Sequence, residues 1–463
     1  MKTKLYKKSK FWVSAIGLIC LVLAFGLWYA NETDVSVPGL LSAFVSAALF
    51  AMVCLRFVPE WMRFWDKEPV VNSFNDVETA KSHAQPQHAE LKIFAVLLLV
   101  NTVVVLLVYC LRLMLGYRES FLESLKFWTC TDSQHYLDIA RDWYLSEGKW
   151  DRLVQLVFLP GYPLVVRLLN YIINNFLYSG MIASALSFAG AGCVLYRLLR
   201  LDLSHKDSLR ALKYLCILPG AFFFAAPMSE SLFLLLCVSC IYFARTKRWA
   251  LGCLFGGLAS FTRSLGLTLF VPLFFELIAS IRGRSYIEGE TGKSMQWVLR
   301  FISLLLIPAG FAAYCYINYL VSGNPFKFME YQQEQWGQRL GLFFNTAAYQ
   351  LERAISSYGT ENQNLLGLWI PNLISSFGSL AIISFAEKKM HPSYTAWFIT
   401  YFVIAIGATW LLSAPRYLMA LFPISIAISA LTKRSGVDII ATLSCILLYF
   451  LYLLAFVMRW QVW

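Results

Sequence analysis

The chain has 463 residues, of which 59% are hydrophobic and 14% charged, with a formal net charge of +12. A soluble domain is roughly 45–50% apolar and about 25% charged, so this composition excludes an ordinary soluble globule. The positive charge does not point to nucleic acid, because the basic residues fall in short clusters between apolar runs and read as topology signals.

In chain order, the N-terminus carries lysines before an apolar stretch from Phe11 to Ala30. That stretch is too long for a signal peptide and lacks a small-residue cleavage site, so it reads as a retained first span. Apolar runs then predict thirteen spans, near 11–30, 37–57, 93–115, 178–198, 211–227, 229–245, 249–263, 265–281, 298–321, 365–386, 394–412, 416–431 and 437–458. The runs are continuous rather than alternating, which favours an all-α polytopic bundle over a barrel. With the N-terminus cytoplasmic, the loops Arg197–Lys213, Arg245–Arg248, Arg282–Arg300, Glu387–Lys389 and Lys433–Arg434, which hold the short basic clusters, all fall on the cytoplasmic side. Three parts follow: residues 1–92, two spans and a polar cytoplasmic connector from Arg56 to Lys92; residues 93–431, the core; and residues 432–463, a last span.

Two large regions face the other side, from Gly116 to about Ser179 and from about Ser322 to Asn364. Within the first, Leu164, Leu168, Leu169, Ile172 and Ile173 recur at helical spacing opposite Arg167, Asn170 and Asn174, predicting an amphipathic interfacial helix. The eleven cysteines mostly lie inside apolar runs, the Cys237/Cys240 pair included, and read as small core residues.

Unusual polar sequence gathers at non-cytoplasmic turns: Asp132, His135 and Tyr136; Tyr162; Ser229 and Glu230; Thr262 and Arg263; Gln335 and Trp336; Arg416 and Tyr417. The run from Leu251 to Thr262 covers only about 18 Å against a hydrocarbon core of about 30 Å, which places Arg263 and Glu230 below the surface. Gly252 and Gly256 form a G-x-x-x-G that permits close packing there.

Each residue admits two readings. Asp132 is either a helix cap or solvated acid, or a general base. His135 shares a helical face with Asp132 and suits a divalent metal, orientation of the base, or neither; two ligands are too few to argue for a bound metal. Glu230 and Arg263 make either a structural ion pair or part of a binding pocket. Arg416 is either a snorkelling interfacial arginine or a phosphate clamp. Tyr136, Tyr162 and Trp336 are either an interfacial aromatic belt or sugar-stacking platforms.

At these residues the sequence resembles the PIG-V-like (GPI mannosyltransferase II-like) family. Thr131-Asp132-Ser133-Gln134-His135-Tyr136-Leu137-Asp138-Ile139-Ala140 is similar to its W-D-x-x-H-Y-x-x-I-A segment. Phe158-Leu159-Pro160-Gly161-Tyr162-Pro163-Leu164 resembles F-F-P-x-Y-P-L, and Ala226-Pro227-Met228-Ser229-Glu230-Ser231-Leu232-Phe233 resembles A-P-Y-S-E-S-L-F. Thr262-Arg263-Ser264, Gln335-Trp336-Gly337 and Pro415-Arg416-Tyr417 follow in the family's order, so the resemblance covers roughly residues 93–431.

The resemblance implies a GT-C glycosyltransferase fold and transfer of a sugar, mannose by analogy, from a polyprenyl-phosphate carrier to a lipid, glycan or protein acceptor on the non-cytoplasmic face. It implies Asp132 as general base, with inversion at the anomeric carbon, and makes Arg263 and Arg416 candidates for the phosphate. His135, Tyr136, Tyr162, Glu230, Gln335, Trp336 and Tyr417 are the further candidate substrate contacts. Two departures stand out: Thr131 replaces the family's tryptophan, and two spans precede the core, which puts a GPI acceptor in doubt and favours a bacterial plasma membrane over the endoplasmic reticulum. The partners implied are the lipid-linked donor, the acceptor and membrane lipids. A transporter or lipid flippase is the rival reading, and it would want polar residues through the membrane middle and paired repeats; a non-catalytic scaffold is the third.

Overall fold

The computed structural model describes residues 2–32, 34–65, 88–144, 150–284, 294–409 and 411–462. Much of the polar connector expected over 56–92, and the middle of the basic connector over 282–300, lie outside the described residues. Among the described residues the regular structure is helical, with one isolated antiparallel bridge between Leu340 and Ala408. Seven of these helices are long and apolar enough to cross a membrane: Phe11–Asn31, Val37–Met62, Ala89–Met114, Phe176–Leu199, Gln296–Ser322, Asn362–Lys389 and Ser435–Val457. They coincide with seven of the expected spans, and the chain is an α-helical membrane protein.

The other expected spans fold as shorter pieces. The run over 211–227 breaks at Pro219 and Gly220, between the helix His205–Ile217 and a 3-10 turn Ala221–Ala225. The run over 416–431 divides into Ala414–Met419 and Phe422–Leu431, with Pro423 opening the second. Arg263 lies extended between Trp249–Thr262 and the 3-10 turn Ser264–Leu269. Counting apolar residues cannot locate such breaks. Helix ends are tolerated at membrane depth where neighbouring protein covers them, and these pieces are mostly buried: Glu230–Arg245 and Phe422–Leu431 are enclosed nearly all round. The G-x-x-x-G does permit close helix packing, but toward the Arg245 end of the helix and not around Arg263 and Glu230: a Cβ at Gly252 would lie 2.8 Å from the Cys240 carbonyl oxygen and 2.9 Å from the Ala244 amide nitrogen.

Ion pairs identify one end of the bundle. Glu90 pairs with Arg197, Arg245 donates to Asp202 and at 2.7 Å to the Tyr394 hydroxyl, and Lys213 reaches Asp438 at 2.8 Å. Because the helices carrying these residues run away from that end, Ser229, Arg263, the 407–416 segment and the C-terminal residues fall together at the opposite end.

The amphipathic helix forms over Gly161–Ile173. Arg167 donates to the carbonyls of Ala140 and Arg141 at 2.6 and 2.9 Å, while Leu168 and Ile172 are 65% and 81% exposed. An apolar face turned outward suits a membrane interface. The second large region also packs into the bundle: Phe343–Ser357 lies along Val37–Trp65, with Ser42 donating to the Ala347 carbonyl at 2.7 Å and Phe50 4.7 Å from Phe343.

Candidate active site

The approach to Asp132 is built locally. Ser120 and Glu123 form a capping box that starts a short helix, and Phe127 and Trp128 then bury themselves, Phe127 lying 5.1 Å from Phe456. Thr131 takes φ 57°, a left-handed conformation strained for a β-branched residue. The helix Ser133–Asp142 follows, burying Tyr136, Leu137, Ile139 and Ala140. Asp132 precedes this helix but makes no side-chain cap bond, so the capping alternative does not apply.

Its carboxylate instead accepts from Arg416 Nη2. Arg416 donates from Nε to Glu230 Oε1 at 2.6 Å, and Arg263 Nη1 donates to the same oxygen at 2.6 Å. Arg263 Nη1 also donates to Ser229 Oγ at 3.1 Å, and the Ser229 and Tyr136 hydroxyls share a hydrogen bond of 2.9 Å. Six residues from four segments therefore form one connected polar chain.

Burial grades along it. Glu230 is 1% exposed, Arg416 5% and Arg263 11%, whereas Asp132 is 31% exposed. Arg416 is thus no snorkelling arginine. Burying an isolated charge is prohibitive, and here two carboxylates meet two guanidiniums so that the network is balanced. Position reinforces the pairing: Glu230 opens its helix, where the dipole favours an anion. Asn372 Oδ1 accepts from the Ala414 amide at 2.8 Å and fixes the entry into Ala414–Met419. Gly266 lets the chain fold tightly behind Arg263, since a Cβ there would lie 2.4 Å from the Ala259 carbonyl carbon.

Aromatic side chains wall the network. Arg263 lies 5.2 Å over Tyr417 and Arg416 5.7 Å over Phe223. His135 stacks on Phe158 at 4.6 Å, and Phe158 meets Tyr136 at 5.3 Å and Trp336 at 6.3 Å. Burial pushes the Tyr136 hydroxyl up to about 12, which keeps it neutral. Tyr162 is wholly buried, donating to the Gly180 carbonyl at 2.8 Å and sharing 2.9 Å with Ser184, so it reaches the network only through its edge contact with Tyr136. Gln335 is exposed on Lys327–Trp336 and stands outside the network.

Three buried polar atoms here have no hydrogen-bond partner: Thr131 Oγ1, Ser133 Oγ and Glu230 Oε2. Such atoms call for an explanation, and they flank the Asp132–Arg416–Glu230 line. Among the described residues no group of three His, Cys, Asp or Glu side chains is placed to hold a metal ion, and the Asp132 carboxylate is already engaged by Arg416. Of the two connecting residues, Ser229 stands out in the sequence only as the polar neighbour of Glu230, and Phe158 carries no chemical signal there beyond its place in the run containing Tyr162.

No family model, no curated protein and no solved structure matches the chain.

Proposed function

We propose that the protein is a glycosyltransferase of GT-C type, acting at the Asp132 end of the bundle on a polyprenyl-phosphate-sugar donor. The observation that carries this reading is the partly exposed Asp132 carboxylate, tied through Arg416 to the buried Glu230–Arg263 pair. An exposed acid backed by two guanidiniums suits a reaction that removes a proton from a hydroxyl and expels a phosphate. Asp132 takes the acceptor hydroxyl proton, the acceptor oxygen bonds to the anomeric carbon, and the bond from that carbon to the phosphate oxygen breaks, with inversion. Polyprenyl phosphate leaves against Arg416 and Arg263, whose fixed charge meets the developing negative charge. Thr131 Oγ1, Ser133 Oγ and Glu230 Oε2 stay buried beside this line without a hydrogen-bond partner, in keeping with a polar site.

Mannose, the non-cytoplasmic orientation, a bacterial plasma membrane and thirteen crossings are the finer parts of the proposal. They draw on the PIG-V-like resemblance and on the distribution of basic clusters. Against a flippase stands the grouping of the charged network at one end rather than through the membrane middle.

The test is transfer. Purified protein is incubated with polyprenyl-phosphate mannose or glucose, radiolabelled in the sugar, plus a membrane lipid extract. Label moving from carrier to a second molecule supports the reading. Label that stays on its carrier but crosses reconstituted vesicles supports the flippase instead.

A further inference from the structure

A cavity of about 570 Å³ opens at the same end of the bundle as Asp132, between Phe343–Ser357, the start of the helix at Leu365 and Gln461 near the C-terminus. Tyr349 and Trp369 line it and meet edge to face, with centroids 5.8 Å apart, and Arg353 sits 5.2 Å over the Tyr349 ring. Asn364 donates to Glu361 Oε2 at 2.5 Å. Trp369 is 6% exposed, and its indole N–H, withdrawn from solvent, meets no acceptor. The chain reaches Trp369 through a π turn, Leu365–Trp369, a rare irregularity frequent at functional sites.

The lining chemistry selects a ligand class. Arg353 and Glu361 are the charged lining residues, one of each sign, so the lining carries no net charge and favours a neutral ligand over a strongly charged one. A hydrocarbon tail would strand the hydroxyls, amides and charges of the wall. A pyranose offers hydroxyls that both donate and accept, and ring C–H faces that pack on Tyr and Trp. The volume lies within the range of small-molecule sites.

We infer that this cavity binds a neutral saccharide. Its position links it to the first site: Leu412 lines the cavity, Asn372 ties the backbone at Leu411 and Ala414, and Arg416 follows in the same short helix. Identifying the saccharide as the acceptor rests on the transferase reading; binding itself does not.

The test uses the full chain in phosphatidylcholine nanodiscs free of sugar detergents. The probes are diazirine-bearing α-mannosides and α-glucosides, each as a soluble methyl-type glycoside and as a dialkylglycerol glycoside. The expected result is photolabelling of peptides within Tyr349–Trp369, displaced by unlabelled glycoside. In Trp369→Phe and Asn364→Ala, each missing about one hydrogen bond, labelling falls roughly fivefold. Label from both probe forms identifies a free glycan; label from the lipid form alone identifies a glycolipid head. No labelling of this segment by any probe, or labelling indifferent to both substitutions, overturns the inference. Labelling in a preparation that transfers no sugar leaves the inference standing and removes the transferase reading instead.

Discussion

Arg416 holds Asp132 although the two lie 284 positions apart in the chain. The same guanidinium grips Glu230 through its Nε, so the exposed acid and the buried acid are two ends of one clamp. For Asp132 to act as a base, its partner must turn to another anion. In the proposed reaction a donor phosphate would be that replacement, so that donor binding would release the base.

Removing Glu230 strands two guanidiniums in an apolar bundle. Glu230→Gln is expected to lower stability by about 3–5 kcal/mol, because breaking a buried ion pair leaves its partner uncompensated. Asp132→Asn is expected to cost less, because solvent reaches its end of the clamp, although Arg416 then keeps only the Glu230 carboxylate that it shares with Arg263. Thermal unfolding of both variants in the same nanodiscs checks the contrast.

Arg416→Lys keeps the charge but not the fork. Nε and Nη2 serve different carboxylates, and a lysine ammonium cannot hold both in one fixed plane. Transfer is expected to fall by about 10²-fold, the usual penalty for misplacing a reacting group by about 1 Å. Initial rates of label transfer at saturating donor measure it.

Tyr136 and Ser229 share one hydrogen bond. Tyr136→Phe is expected to destabilise by about 1 kcal/mol, and Ser229→Ala by somewhat more because Arg263 also loses a partner. The double variant should fall short of the sum, with a coupling of about 0.5–1.5 kcal/mol in a double-mutant cycle. Additive losses would mean the bond contributes nothing.

The segment leading to Asp132 starts at an exposed capping box, and hydrogen bonds from the Ser120 backbone and side chain hold the Glu123 carboxyl below the usual carboxylate range. A lowered value means the stabilisation is present above the ordinary carboxylate pKa and is lost as pH falls through the lowered one. Hydrogen exchange over residues 117–130, corrected for intrinsic rates, should therefore be slower in wild type than in Glu123→Gln at pH 7. The two should converge as the solution is acidified.

The sequence was informative where membrane physics leaves little choice. Charged residues such as Glu230, Arg263 and Arg416 at the ends of apolar runs had to be partnered, and all three meet in one network with Asp132. The long outer helices were legible because lipid-facing runs are continuous. The inner pieces were not, since Pro219, Gly220 and Pro423 interrupt runs whose composition stays apolar. Spacing could not choose between a snorkelling and a clamping Arg416, because that depends on Asn372 fixing the chain at Ala414. Nor could it reveal the left-handed Thr131, the sealed position of Tyr162, or the cavity that Tyr349 forms with Trp369.

In the proposed reaction Asp132 is the base. The most direct measurement compares sugar transfer by wild type and Asp132→Asn at matched folding, verified by thermal unfolding, with saturating polyprenyl-phosphate donor. A fall of about 10²–10⁴-fold is expected, the range for loss of a general base. A well-folded Asp132→Asn that transfers sugar within tenfold of wild type would contradict it and remove Asp132 from the chemistry.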